Sequence, residues 1–157
     1  MASSRDTRRY AFQALYQLDA RGPQSAEQVQ QWLAETVSLN DDERMKIFML
    51  ALAAFERRSA ADGEFHPLAP TWPAHRQPAV DRAILRLAHY ELSQADGVKR
   101  GKLILNDAIE LSKEYSTDRS PAFVNGLLDK VLQRVRNEAA AGADSPSAAN
   151  SPSAPSA

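Results

Sequence analysis

Apolar residues recur at three- and four-residue intervals along most of this chain, and that spacing predicts helices almost throughout. The clearest stripe lies in AVDRAILRLAHYEL, residues 79–92, where Val80, Ile84, Leu87 and Ala88 share a face that Leu85 and Leu92 widen. A helix apolar over so much of its surface belongs at the centre of a fold. Upstream, Ala11, Phe12, Leu15 and Leu18 predict a first helix over about 6–21, ended by the RGP at 21–23. Ser25 with Gln28 has capping-box spacing and opens a short helix through Val29, Trp32 and Leu33. Asn40 with Glu43 repeats the spacing before a third helix, which carries Met45, Phe48, Met49, Leu52 and Phe55 and ends near 61–63. After a break at GVKRG, Ile104, Ala108, Ile109, Leu111 and Tyr115 predict a helix over about 102–115. A last helix, about 121–137, is carried by Val124, Leu127, Leu128, Val131 and Val135. Ser120 is its expected N-cap, and Pro121 sits where a missing N–H costs nothing.

The periodicity fails at EFHPLAPTWPAHRQP, residues 64–78, where four prolines disfavour a long helix. This stretch predicts a connector with a short helical turn at most, pinned to the core by Phe65, Leu68 and Trp72. Beyond Glu138 the chain has many Ser, Pro and Ala and no large apolar residue, so 139–157 is expected to be a disordered tail. Residues 1–138 then form one all-α domain, with three helices on each side of the connector packed as two three-helix bundles sharing a core.

A length of 157 residues suits such a domain. The absence of cysteine excludes disulfides, thiolate metal sites and a cysteine nucleophile. No apolar stretch is long enough to span a membrane, and no apolar run follows the N-terminus as in a secretory signal, so the expected location is the cytoplasm. The net charge of −1 means that any nucleic-acid contact must come from a local patch.

Such a patch exists at the start of the first helix, where Arg5, Arg8 and Arg9 cluster. They read either as a phosphate grip or as a solvated helix end. Arg82, Arg86 and His89 share a face, which reads more simply as an inter-helix ion-pair network, with Glu91 and Glu110 available as partners. His66, His75 and His89 lack ligand spacing, and helix capping accounts for Asp41, Asp42 and Glu43. No phosphate loop and no nucleophile or metalloprotease motif is present, so the residues favour neither an enzyme nor a cofactor or metal site. Phe123, Asn125 and Gly126 are harder to place in a well-started helix. An aromatic can stack on an unpaired base, an amide can bond a base edge, and a glycine admits a close approach, by a neighbouring helix or by a ligand.

RRYAFQALYQLD, VDRAILRLAHYEL, LNDAIELSKEYS and FVNGLLDKVL, in that order, resemble the NusB family of bacterial transcription antitermination proteins. The resemblance spans about residues 5–136 and implies an all-α fold of two three-helix bundles. It further implies a non-enzymatic factor that binds the boxA element of nascent ribosomal transcripts, most tightly as a heterodimer with the ribosomal protein NusE. That complex joins other Nus factors on RNA polymerase; some members self-associate, so a homodimer is an alternative for the free protein. By position, the resemblance assigns Arg5, Arg8, Arg9, Phe123 and Asn125 to RNA and Tyr16 and Glu91 to the NusE surface. Charge and position add Arg82 and Arg119 beside the RNA path. Asp6 and Thr7 interrupt the arginine run, which implies weaker binding alone and more dependence on NusE. GVKRGK replaces the family's usual proline after the fourth helix and adds Lys99, Arg100 and Lys102. Two other readings compete: a purely protein-binding scaffold, and an RNA-recognition module like the N-terminal part of certain ribosomal RNA cytosine methyltransferases, although here no catalytic domain follows.

Overall fold

The computed structural model describes residues 2–36 and 38–143. Seven α-helices follow one another: α1 Ser4–Arg21, α2 Ala26–Thr36, α3 Asp41–Glu56, α4 Arg58–Leu68, α5 Ala79–Leu92, α6 Gly101–Tyr115 and α7 Ser120–Ala143. Single 3₁₀ turns, Pro23–Ser25 and Ala74–Arg76, precede α2 and α5. Helix α1 begins earlier than expected because Ser3 caps it, accepting the Asp6 N–H. It ends at Gly22, whose φ of 91° favours glycine.

Helices α1, α2 and α3 pack as one bundle and α5, α6 and α7 as the other. Helix α5 joins them, lying against α1 and α3 on one side and α6 and α7 on the other. Ile84, Leu85 and Leu92 of α5 are buried with Leu15 and Leu18 of α1, Ile47 of α3, Ile104 and Leu111 of α6, and Val124 and Leu128 of α7 in one continuous core. Two bundles sharing a core is thus the observed architecture.

Several local expectations are corrected. The third predicted helix is two, because the chain leaves helical geometry at Arg57, and α4 continues into the expected connector as far as Leu68. Pro67 fits there because it stands in the final turn, where its missing N–H removes a single bond. Phe65 pins this segment as expected, whereas Leu68 is exposed and Trp72 is 51% exposed. Met45 and Met49 also face solvent. Ser25 does not form a capping box; its hydroxyl donates to the Gly22 carbonyl. The Asn40–Glu43 box is present in full. Residues 139–143, expected in the disordered tail, continue α7, as their alanines favour. The remainder of that expected tail, 144–157, lies outside the described residues.

Candidate RNA and partner surface

Arg8 continues the apolar stripe of α1 one turn toward the N-terminus, since Ala11, Phe12 and Leu15 follow it at i+3, i+4 and i+7. It is accordingly buried, at 3% exposure. Its Nε donates to Glu91 Oε2 at 2.7 Å, and its Nη1 pairs with Asp107 Oδ2. Glu91 and Asp107 are buried too. This corrects the expected roles of Arg8 in gripping RNA and of Glu91 on a partner surface: both are consumed inside, tying α1 to α5 and α6.

Arg5 and Arg9 do face solvent in part. Arg5 Nε lies 3.3 Å from Asp107 Oδ1 and leaves half of its side chain exposed. Arg9 bridges Asp6 at 2.9 Å and Glu114 at 3.1 Å. The basic end of α1 is therefore two partly neutralised arginines lying along α6.

On the face shared by Arg82, Arg86 and His89, Arg86 and His89 link neighbouring helices through partners other than those expected, and Arg82 makes no ion pair among the described residues. Arg82 Nη1 donates to the Ala74 carbonyl at 3.0 Å, which holds the 3₁₀ turn. Arg86 joins Asp19 of α1 at 2.9 Å to Asp62 of α4 at 2.6 Å. Burial pushes the Asp19 carboxyl up despite Arg86, since its Oδ2 has no partner among the described residues. His89 Nε2 meets Glu64 Oε1 at 2.8 Å, and Arg134 of α7 grips the same carboxylate, its Nε reaching Oε2 at 2.9 Å. Burial alone would raise the Glu64 carboxyl, but the bonds from Arg134 and His89 outweigh it and hold that group below its usual value.

The start of α7 is built around Asp81 of α5. Ser120, the expected N-cap, instead donates its hydroxyl to the buried Asp81 Oδ2 at 2.8 Å, and Ser116 donates to Oδ1. Around this hub lies a cavity of about 360 Å³ lined by Phe123, Arg119, Ser120, Asp81, Gln77 and Trp72, among others. Phe123 is half-buried against the core. Arg119 is exposed and makes no ion pair among the described residues. One turn on, Asn125 and Gly126 face solvent, and among the described residues nothing beyond its own helical turn lies within 4 Å of where a Gly126 side chain would start. No neighbouring helix therefore requires a glycine at that position.

Tyr16, 40% exposed, lines a second cavity of about 360 Å³ with Phe12, Trp32, Val80 and Tyr115. Adjacent residues of α5, Val80 and Asp81, border the two cavities, so the Tyr16 and Phe123 surfaces are neighbours. Glu91 stands at the far end of α5, roughly 16 Å along the helix at 1.5 Å per residue. Asp81 and Trp72 were not singled out as site residues by sequence. An acidic residue on the buried face of α5 was the available signal for the first; exposure, which sequence does not report, was the signal for the second. Among the described residues no group of three His, Asp or Glu side chains is placed to hold a metal, and no helix is long and apolar enough to cross a membrane.

This architecture has known counterparts. T. maritima NusB superposes with a TM-score of 0.69 at 29% identity, over 84% of this chain and 92% of its own. A structure of antitermination factors NusB and NusE in complex with dsRNA contains a chain with a TM-score of 0.68 at 24% identity, over 82% and 94%. In sequence, the transcription antitermination protein NusB of Streptomyces griseus subsp. griseus is 39% identical over 134 residues, 82% of this chain and 90% of that protein. The NusB family model matches residues 5–133, from the exposed arginine that opens α1 to the last apolar turns of α7, and the chain belongs to the NusB family.

Proposed function

We propose that this chain is a transcription antitermination factor that binds boxA-containing single-stranded RNA of nascent ribosomal transcripts together with NusE. Membership of the NusB family across residues 5–133 carries this reading. The surface supports it: Arg5 and Arg9 supply positive charge beside α6, Arg119 supplies a cation with no ion pair among the described residues, and Phe123 and Asn125 stand where no other described segment crowds Gly126. Tyr16 and its aromatic cavity form the NusE-facing surface. Arg82 acts indirectly, by holding the turn beside the RNA surface. The factor works by assembly with other Nus factors and RNA polymerase rather than by catalysis, without a cofactor, in the cytoplasm.

The test is titration of labelled boxA RNA and a scrambled control, with and without NusE, at two salt concentrations. Selective, NusE-enhanced binding is expected, with log affinity falling about 0.7 per phosphate contact against log salt. Equal weak binding to both RNAs, with normal NusE binding, would instead establish a protein scaffold.

A further inference from the structure

Trp72 is the more exposed of two large aromatics, with Tyr16, that the core leaves out. It stands in the proline-rich segment between α4 and α5, half-exposed, on a backbone that is firmly held. Its N–H donates to the Ala69 carbonyl at 3.0 Å, and its carbonyl accepts the side-chain amide of the buried Gln77 at 3.1 Å. Pro70, Pro73 and Pro78 remove backbone freedom on either side. A chain that fixes an indole in water gives up burial and gains a preorganised apolar plate.

The indole lines the same cavity as Phe123, and the two rings make no stacking contact with each other. The cavity both rings line, about 360 Å³, is large enough for one planar ring system. Its polar residues are Asp81, Ser120, Thr117 and Gln77, and its cation is Arg119, which has no ion pair among the described residues. Two aromatic plates, hydrogen-bonding groups and a free guanidinium match the parts of one nucleotide: a base face, a base edge and a phosphate.

We infer that the cavity between Trp72 and Phe123 is a pocket for one unstacked base of the bound RNA, with Arg119 on the adjoining phosphate. Trp72 is thus a binding residue supplied by the segment between the bundles, and the pocket is complete only when that segment is docked. This inference rests on the RNA-binding reading above.

The test reads tryptophan fluorescence and affinity together, with boxA RNA as the probe. The chain has two tryptophans, so Trp72→Phe leaves Trp32 as an internal control. RNA is expected to quench the unaltered protein and to leave Trp72→Phe nearly unchanged. Trp72→Ala is expected to weaken binding about tenfold or more, and Trp72→Phe by less. If the unaltered protein binds RNA but shows no quench, and Trp72→Ala binds as tightly, the pocket assignment is wrong while the RNA reading stands. If the unaltered protein binds no RNA, both fall. A quench produced by NusE and not by RNA, and lost in Trp72→Phe so that Trp32 is not its source, would make the cavity a protein site and overturn the proposal.

Discussion

At the scale of single residues, burial divides side chains of the same type into opposite roles. Arg8 sits in the core between Glu91 and Asp107, whereas Arg9, its neighbour, pairs at the surface. Removing Arg8 leaves the buried Glu91 and Asp107 with only long contacts to Arg100 and Arg5, and Arg8→Ala is expected to cost about 3–5 kcal/mol in chemical denaturation. Arg9→Ala is expected to cost less than about 1 kcal/mol and to weaken RNA binding without loss of fold. Loss of RNA binding by Arg8→Ala therefore reports on folding, and only the Arg9 variant tests the phosphate grip. Glycines divide in the same way. A Cβ on Gly97 would strike the Leu92 carbonyl, whereas one on Gly126 meets nothing. Gly97→Ala is expected to destabilise by more than about 1 kcal/mol. Gly126→Ala is expected to stabilise the free protein by about 1 kcal/mol, from helix propensity, while lowering affinity for boxA RNA. Thermal melts and RNA titrations on the same samples separate these effects; unchanged affinity with raised stability would show that Gly126 does not face RNA.

At the scale of elements, the helices legible in the sequence are those whose stripes are long and uninterrupted. Helix α5 has the bounds its periodicity gives, and α6 begins one residue before them. Two of the expectations that failed concern polar residues with two available partners. Ser25 and Ser120 carry N-cap chemistry, but each hydroxyl is spent elsewhere, on the Gly22 carbonyl and on Asp81. Which partner a serine takes depends on what the rest of the fold brings beside it, and spacing along the chain is silent on that. The last residues of α4, 64–68, lie in the expected connector for a related reason. Pro67 and the prolines that follow the helix argue against it, while its fastening is tertiary: Phe65 in the core, Asp62 on Arg86, and Glu64 between His89 and Arg134. The Glu64 clasp carries a pH signature. Its carboxyl is held below its ordinary value of 4.5 in the folded protein, so the folded state resists protonating it. Its contribution to stability is present above that ordinary value and is lost as the pH falls through the lowered one. Glu64→Gln is expected to be the less stable protein at neutral pH and to lose less on acidification, so that the two melting curves converge as the pH falls below 4.5. Parallel curves over that range would mean that the clasp contributes no pH-dependent stability.

At the scale of the whole molecule, what sequence could not reveal is what separate segments build together. The buried triad draws on α1, α5 and α6, and the Trp72 cavity draws on the inter-bundle segment, α5 and the start of α7. Parts of the triad were nonetheless legible, because Arg8 and Glu91 each fall on the apolar stripe of their own helix, a position that predicts a buried charge in need of a partner. The fold's symmetry of two bundles suggests two units able to melt separately, but the packing argues otherwise. Helix α5 contributes side chains to both, so neither bundle has a closed core without it. Unfolding is therefore expected to be a single transition. Ile84, buried at the middle of α5, tests this, since Ile84→Ala should cost about 2–5 kcal/mol wherever a probe is placed. In Trp72→Phe, the fluorescence of Trp32 reports on α2 in the first bundle, and far-UV circular dichroism reports on all helices together. The two midpoints should coincide in urea, and Ile84→Ala should lower both by the same amount. If Trp32 holds its midpoint while part of the ellipticity is lost earlier, the bundles are independent, and α5 belongs to only one of them. The consequence reaches function. With one cooperative unit, the Tyr16 and Phe123 surfaces, which meet at Val80 and Asp81, are held in a fixed relation, and a partner on one side is placed beside RNA on the other without any rearrangement of the bundles.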